Sequence, residues 1–273
     1  MSVNNFKPTI WSRELLYSLK KNLIGLNLVN RNYQGEITNE GDKVKITTPA
    51  SINVDDYDGN DITFQAITSS QQELDIDQAK YFAFLVDDVD QAQANVPLMQ
   101  AYMQEASFSL GKTADDFIFS AYSDADAANV IEDADFSTGA FELLTEAGAR
   151  LSEANVPEQG RYVVLSPREF KELSNDAAFQ RASDLGDQTS RFGFQGMAAG
   201  FMVWMSNNLV EDSDTRYGMF GHSIAITFAD QIIKTEAGRR EAGFSDFVKG
   251  LHVYGKKVIR PTALGVFEIP LGS

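Results

Sequence analysis

The stretch that most resembles a catalytic element is Ala106–Thr113, which reads ASFSLGKT and ends in Gly-Lys-Thr. A phosphate-binding loop ends in the same three residue types, because its backbone N–H groups wrap the phosphates between a strand and the start of a helix. Here Ala106 replaces the first glycine of the loop, and apolar residues recur at helical spacing on both sides. The pattern therefore predicts that the stretch lies inside a helix and binds no nucleotide.

A second enzymatic alternative is a serine hydrolase built on Ser223. The sequence Gly221-His222-Ser223 resembles the turn that exposes a nucleophilic serine, which needs a strand before it and a helix after it. The residues that follow, 224–229, have a strand pattern instead, and the only other histidine of the chain is His252. The sequence therefore predicts no serine hydrolase.

No metal, cofactor or catalytic site is expected. Residues 56–61 are rich in Asp and Asn, as a calcium loop is, but the glycine stands fourth instead of sixth. The twelfth position is Ile67 where a calcium loop has Glu. The chain has two histidines and no cysteine, so thiolate sites and disulfides are excluded.

Charge is divided unevenly along the chain, whose formal net charge is −16. Residues 1–31 hold five basic residues and one acidic residue, whereas residues 32–138 hold 21 acidic residues and four lysines. An acidic body argues against tight, sequence-independent binding of nucleic acid, which depends on Lys and Arg. The acidic residues either form a solvated surface or pair with the basic arm of another copy, where Lys20 and Lys21 lie.

The composition is that of a soluble globular protein. The apolar content of 43% is enough for a substantial core. No apolar run approaches the roughly 20 residues that a membrane-spanning helix needs, and the start of the chain lacks the pattern of a signal peptide. We expect no contact with a membrane and no export from a cytoplasm.

The first 86 residues are expected to form a short helix and a long β-ribbon. Apolar residues recur four apart in the segment after Thr9, as in an amphipathic helix: Trp11, Leu15, Leu19 and Leu23. Residues 41–80 alternate between apolar and polar positions on either side of an Asp-rich turn. This predicts a two-stranded ribbon with its tip near Asp58-Gly59. Because such a ribbon has too little core to stand alone, something else must cover its faces and edges.

A long helix and an α/β region are expected to follow. Residues 96–122 carry one apolar face and have Pro97 in the first turn. A second helix should run from Thr138, its N-cap, to Ala154, and Ser166 opens a capping box with Glu169. Strand patterns occupy these remaining segments: 161–165, 201–205, 223–228, 251–259 and 264–269.

This order of elements resembles the major capsid proteins of tailed bacteriophages with the HK97 fold, particularly the branch that includes the coat protein of phage P22. The resemblance covers nearly the whole chain, and the order of the motifs is more specific than any one of them. The stretches that carry it are Gly41–Ile46 with Tyr57, Leu74–Asp88, Gly200–Leu209 and Tyr254–Leu264. The chain shows no room for the inserted surface domain of the P22-like pattern.

The resemblance implies an α+β, HK97-like capsid fold with an N-terminal arm, an extended β-ribbon loop, a long spine helix and a mixed α/β axial domain. Residues 1–30 would be the arm, and 31–86 would be the extended loop lying over a neighbouring subunit. Residues 87–125 and 229–262 would form the peripheral domain, and residues 126–228 and 263–273 would form the axial domain.

The resemblance also implies a function and partners. The protein would be a non-enzymatic major capsid protein that assembles through pentamers and hexamers into an icosahedral shell. It would enclose DNA without reading its sequence, form in the host cytoplasm and meet a scaffolding protein and a portal. An encapsulin-like shell around cargo enzymes is the alternative. The residues expected at subunit interfaces are Lys20, Lys21, Lys43, Lys45, Asp56, Tyr57, Asp58, Gly59 and Asn60.

Overall fold

The computed structural model describes residues 24–32, 43–48, 52, 70–87, 98–179, 196–241 and 245–271. Single 3₁₀ turns occur at Gly25–Asn27, Ser120–Asp124, Ala127–Asn129 and Pro261–Ala263. The helices and strands are β1 (Lys43–Thr48), β2 (Ser70–Asp75), β3 (Gln78–Asp87), α1 (Leu98–Phe119), β4 (Val130–Ile131), α2 (Phe136–Glu153), β5 (Arg161–Leu165), α3 (Pro167–Asn175), β6 (Met197–Ala198), β7 (Phe201–Met205), β8 (Glu211–Asp212), β9 (Thr215–His222), β10 (Ile226–Arg239), β11 (Ser245–Val258) and β12 (Leu264–Pro270).

The long helix α1 packs on one face of a three-stranded antiparallel sheet, whose strand order is β10-β11-β3. Leu110 and Ala114 are buried along its inner side, as the apolar spacing predicts. Met103 is buried there too, whereas Tyr102, which the spacing places on the same face, is 46% exposed. The Phe117 ring lies 5.3 Å from the ring of Tyr254 in β11. The predicted spine-like helix is therefore confirmed within its described residues.

The base of the ribbon covers part of the opposite sheet face. β1 and β2 pair antiparallel from Lys43 opposite Asp75 to Thr48 opposite Ser70, a register centred on residue 59. Their buried side chains pack against the sheet in a separate apolar cluster of Val44, Ile46, Leu74, Ile76, Ala229 and Val253. The predicted pairing is thus confirmed at the base, whereas the predicted tip lies outside the described residues.

The second layer is a seven-stranded mixed sheet with α2 and α3 packed beside it. Its order is β4-β12-β9-β5-β7-β6, with β8 paired to β9. The aromatic rings of Phe201, Phe220 and Phe267 meet at its centre, and β5 is buried along its whole length. This sheet and its helices make the mixed α/β region that the sequence predicts.

The predicted start of α2 is wrong. The N-cap is Asp135, whose carboxylate accepts a hydrogen bond from the Ser137 N–H. Thr138 instead donates its hydroxyl hydrogen to the carbonyl oxygen of Asp135. Gly139 interrupts the helix with an extended backbone, and the Phe141 N–H beyond it is capped by the Asp176 carboxylate at 3.0 Å. The part of α2 that follows the break at Gly139 is therefore capped by Asp176, a residue distant in the sequence, and not by Thr138.

The segment 24–32 joins the chain's start to the three-stranded sheet. The Asn30 N–H donates to the Ile226 carbonyl at 2.9 Å, and the Phe228 N–H donates to the Asn30 carbonyl at 3.0 Å. These bonds form a one-residue parallel bridge on the free edge of β10. The amphipathic helix predicted after Thr9 lies outside the described residues.

Candidate assembly interface

A buried carboxylate ties the N-terminal segment to α1. One oxygen of Asp115 accepts the Gly25 N–H at 3.0 Å, and the other lies 3.5 Å from the Asn208 side-chain amide nitrogen. The residue is only 1% exposed. Burial raises the pKa of Asp115 to about 6, although these hydrogen bonds act to lower it. Three distant parts of the chain therefore meet at one ionisable group.

A second charged contact fastens the same segment to β10. The Arg31 guanidinium lies 3.1 Å from Asp230, whose other oxygen lies 3.2 Å from His252 Nε2. Burial would raise the pKa of Asp230, but the hydrogen bond from His252 and the charges of His252 and Arg31 together lower it. The end of the basic arm is thus anchored within its own subunit.

A lysine fastens the sheet to the end of α1. Lys256 in β11 donates to the carbonyl oxygen of Phe117 at 2.6 Å and to the hydroxyl of Ser120. A cation at a helix C-terminus is favourable because the last carbonyl groups carry partial negative charge. Burial lowers the pKa of Lys256 to about 8. This contact holds α1 and the three-stranded sheet as one unit.

Two of the interface residues predicted from the sequence lie on β1. Lys43 pairs within the subunit with Glu73 at 2.8 Å and with Asp75 at 3.2 Å. The hydrogen bonds with these two carboxylates raise the pKa of Lys43, and the bond with Glu73 has the larger effect. Lys45 is exposed and stands opposite Glu73 in the ladder. Lys43 therefore has ion-pair partners in its own subunit, and the part of both lysines in assembly stays a prediction.

The remaining interface residues predicted from the sequence lie outside the described residues. They are Lys20, Lys21, Asp56, Tyr57, Asp58, Gly59 and Asn60. Their part in assembly stays a prediction.

The Gly-Lys-Thr stretch has the wrong geometry for a phosphate loop. Residues 106–113 lie well inside α1, where backbone N–H groups are already bonded to carbonyl groups one turn earlier. The Thr113 hydroxyl donates to the Ser109 carbonyl at 2.9 Å, back along the same helix. The stretch therefore cannot wrap a phosphate, in agreement with the sequence pattern.

Ser223 also lacks the surroundings of a nucleophile. It lies between β9 and β10, so a strand follows it where a helix is required. His222 uses both ring nitrogens on the backbone: Nε2 lies 2.7 Å from the Gln159 carbonyl oxygen, and Nδ1 accepts the Ile224 N–H at 3.1 Å. With both nitrogens engaged, His222 cannot serve Ser223 as a general base. The strand itself begins at Ile226, later than the predicted residue 223.

The part of the chain that the structure describes contains neither a group of metal ligands nor a membrane-spanning helix. Within those residues, His, Asp and Glu side chains form no group of three or more that could hold a metal ion. No helix among them is both long enough and apolar enough to cross a membrane.

An apolar surface that the sequence pattern does not reveal lies on the three-stranded sheet. Tyr81 and Leu85 point away from α1 and are 78% and 52% exposed, and Ala83 lies exposed between them. Their partners in β11 are the half-buried residues Leu251 and Phe247. We call these five residues the open patch.

The open patch contains a cavity of about 320 Å³. Its floor is formed by β3 and β11. Lys249 pairs with Ala83 between Phe247 and Leu251 and lines the cavity, with its Nζ 2.7 Å from Glu236 and 5.8 Å from the centre of the Phe247 ring. Large apolar groups exposed together on one face mark an interaction site in a soluble protein. The open patch therefore has the features of a surface that binds another protein segment, although the Lys249–Glu236 pair lies within it.

Comparisons with known proteins agree in matching the chain to phage capsid proteins. A family model described as "Phage capsid protein" matches residues 71–266. A structure from Mycobacterium phage Che8 is 32% identical, with 90% of each chain covered and a TM-score of 0.71. The capsid structure of Cyanophage P-SCSP1u is 16% identical over 90% of this chain and 87% of that one, at a TM-score of 0.71.

A virus-like particle from Pyrococcus furiosus is a more distant structural neighbour. It is 13% identical over 95% of this chain and 98% of that one, at a TM-score of 0.61. At that identity the likeness concerns the fold alone. No curated protein matches the chain.

Proposed function

Because the chain belongs to the phage capsid protein family and is therefore a major capsid protein, we propose that it builds a closed icosahedral shell from pentamers and hexamers around the viral genome. The observation that carries this proposal is the family match over residues 71–266. The HK97-like fold expected from the sequence is confirmed, and the role is structural, not enzymatic. Assignment to the P22-like branch stays a prediction.

We propose that the subunit has the peripheral and axial domains that the resemblance implies. The spine helix α1 and the sheet of β10 and β11 support a peripheral domain made from residues 87–125 and 229–262. The seven-stranded sheet supports an axial domain made from residues 126–228 and 263–273, because β4 pairs with β12 across these two segments. Residues 1–30 would be the arm and 31–86 the ribbon loop, whose last strand, β3, enters the peripheral sheet.

The partners follow from the proposed shell. The protein associates with copies of itself, as capsid proteins do, and is located in the virion capsid. A scaffolding protein and a portal would act during assembly in the host cytoplasm. The DNA would be enclosed without sequence-specific binding, and the formal net charge of −16 argues against tight contacts with its phosphates as well.

The ribbon and the arm are the proposed contacts between subunits. The ribbon, with Asp56–Asn60 at its tip, would lie over a neighbour, and Lys43 and Lys45 at its base would contact that neighbour as well. Lys20 and Lys21 of the arm would pair with acidic surface on another copy. The support for the ribbon is its shape: a two-stranded extension has too little core of its own to be stable in water.

An encapsulin-like shell around cargo enzymes is the second candidate. The virus-like particle from Pyrococcus furiosus shares the fold, but a shared fold does not decide what a shell encloses. The relative at 32% identity comes from a phage, which favours the viral shell.

Electron microscopy of the purified protein tests the proposed shell directly. We expect icosahedral particles, and a protein that stays monomeric under all assembly conditions would contradict the proposal. Particles formed in infected cells should protect DNA from nuclease, whereas an encapsulin-like shell should contain protein cargo instead.

The role of the ribbon has its own test. Removing Asp55–Asp61 and closing the hairpin with Asn-Gly should leave circular dichroism of the subunit unchanged and should abolish particles in sedimentation. A deletion that unfolds the subunit would mean that the ribbon belongs to the core. A deletion that assembles normally would mean that the ribbon is a dispensable surface hairpin.

A further inference from the structure

Residues 24–30 are fastened to the rest of the subunit at two ends that differ in chemistry. At the first end, the Gly25 N–H donates to the carboxylate of Asp115 in α1 at 3.0 Å. At the second end, Asn30 is held on the edge of β10 by two backbone hydrogen bonds. The first end therefore includes a group that can ionise, whereas the two bonds of the second end do not titrate.

The segment lies directly on the carboxylate. A Cβ atom added at Gly25 would stand 3.0 Å from the nearer oxygen of Asp115 and 3.0 Å from Ile118. Leu26 and Leu28 are buried beside this contact. Asp115 is 1% exposed while the segment is in place, and release of the segment would open the carboxylate to water.

Within the described residues, no cation compensates a charge on Asp115. Residues 24–30 and 206–209 contain no ionisable side chain, and the neighbouring charge that acts on Asp115 is that of Asp116, which disfavours ionisation. The cations of the surrounding elements act elsewhere: Lys112 on Asp116, Lys256 on the end of α1, and Arg31 and His252 on Asp230, while Lys80 is exposed. A buried charge without a counter-charge is costly.

The closed segment therefore binds a proton that the open segment releases. Hydrogen bonds to Asp115 favour its charged form, but burial outweighs them and raises its pKa from 3.8 to about 6. In the open segment the hydrated carboxylate regains its ordinary proton affinity. The stabilisation of the closed segment is thus lost as the pH rises through 6.

We propose that residues 24–30 form a clasp with one pH-sensitive end, which opens at Gly25 when Asp115 ionises, while Asn30 stays attached to β10. The neighbouring Arg31 supports the fixed end. Its partner Asp230 has a lowered pKa, so this ion pair is present at every pH above about 4 and does not weaken where the first end opens.

Opening of the clasp lengthens the proposed arm. Residues 1–30 would then be held only at their last residue, and residues 24–29 would add up to roughly 20 Å of extended chain. This gain in reach rests on the proposed role of the arm in contacts between subunits. The opening itself is a property of the single subunit.

The size of the pH dependence follows from proton binding. The pKa of Asp115 is about 6 in the closed clasp and takes its ordinary value of 3.8 in the open one. The ratio of open to closed clasps should therefore rise about tenfold between pH 5 and pH 7. It should change little above pH 7, because Asp115 is then ionised in both states.

Hydrogen exchange of the unassembled subunit measures this opening. The amides of Gly25, Asn27 and Leu28 are hydrogen-bonded in the closed clasp, and dividing their exchange rates by those of an unstructured peptide removes the intrinsic effect of pH. We expect the tenfold rise in the wild type and none in Asp115→Asn, which keeps an acceptor for the Gly25 N–H but cannot ionise. Asp116→Asn, at the exposed position that follows, is the matched control and should keep most of the rise.

The amides at the fixed end separate opening of the clasp from unfolding of the whole subunit. The N–H groups of Asn30 and Phe228 donate the two hydrogen bonds to β10 and from it, and at pH 7 they should open at least tenfold less often than Gly25. If all three amides open equally often, the segment is released as a whole and the proposal is overturned. No rise in the wild type, or an equal rise in Asp115→Asn, would overturn it as well.

A single cysteine carries the same test if Asp115→Asn does not fold, because the chain has no cysteine of its own. Leu26 is buried under the clasp and Asn27 beside it is exposed. The labelling rate of Leu26→Cys by a thiol reagent, divided by that of Asn27→Cys, should rise about tenfold from pH 5 to pH 7. A ratio that does not change with pH would contradict a pH-sensitive clasp. Since both measurements use the unassembled subunit, their outcome does not depend on whether a shell forms.

Discussion

The buried carboxylate at the start of the described chain gives a stability prediction with a definite sign. Asp115 has an ordinary pKa of 3.8 that burial raises to about 6 in the folded subunit. The folded protein therefore binds this proton more tightly than the unfolded chain does. The resulting contribution to stability is fully present below about pH 4 and is lost as the pH rises through 6.

The size of the effect follows from the two pKa values. Each pKa unit corresponds to about 1.4 kcal/mol, so the contribution of Asp115 to the free energy of unfolding is about 3 kcal/mol in all, of which about 2.4 kcal/mol should be lost between pH 4 and pH 7. Asp115→Asn keeps the shape of the side chain and cannot ionise. The free energy of unfolding of the wild type, minus that of the variant, should therefore decrease by about this amount over the same range.

The assay is urea unfolding of the unassembled subunit at several pH values. Asp135→Asn is an informative control, because hydrogen bonds from Ser137 lower the pKa of Asp135. Its contribution is present above about pH 4 and is lost as the pH falls, so its difference curve should slope the opposite way. A flat difference curve for Asp115→Asn would refute the account of Asp115 as a buried carboxylate whose charged form is penalised by burial.

Three further predictions concern α1, the arm and the ribbon base. Lys112→Ala should leave assembly nearly intact, and ATP should not raise the Tm of the wild type; a shift of several degrees would indicate a bound nucleotide. Charge reversal at Lys20 and Lys21 should weaken assembly more at low salt than at high salt, because exposed charges are screened over about 10 Å at 0.1 M; equal shell formation in light scattering at all ionic strengths would contradict an electrostatic contact. Gly255→Ala should destabilise the subunit by about 1–3 kcal/mol through crowding at the ribbon base, and an unchanged thermal unfolding curve would contradict the close approach.

Sequence reasoning succeeds where the determining signal is local. The capping box at Ser166 is present as predicted, with the Glu169 carboxylate accepting the Ser166 N–H at 2.9 Å. All of its partners lie within three residues, so the residue types alone identify it. The same holds for α1, where an apolar spacing sustained over many turns fixes both the helix and its inward face.

The failures involve partners that are distant in the sequence. Thr138 and Asp135 are both acceptable N-caps by residue type, and the choice between them depends on the break at Gly139 and on a carboxylate that Asp176 supplies from 35 residues away. The sequence does not identify Asp115 for a related reason, because its hydrogen-bond donors lie 90 and 93 residues away. No local pattern distinguishes it from the exposed aspartate that follows it.

The strand β3 has more apolar residues than the core of the subunit uses. Residues Tyr81–Val86 are apolar at every position, a pattern typical of a strand that is buried on both faces. In the subunit only one face meets that expectation, because Phe82, Phe84 and Val86 pack into the main core beneath α1. The other face presents Tyr81 and Leu85 to solvent. The apolar pattern of β3 therefore exceeds what packing beneath α1 requires, which is why the pattern alone could not show which of its two faces is buried in the subunit.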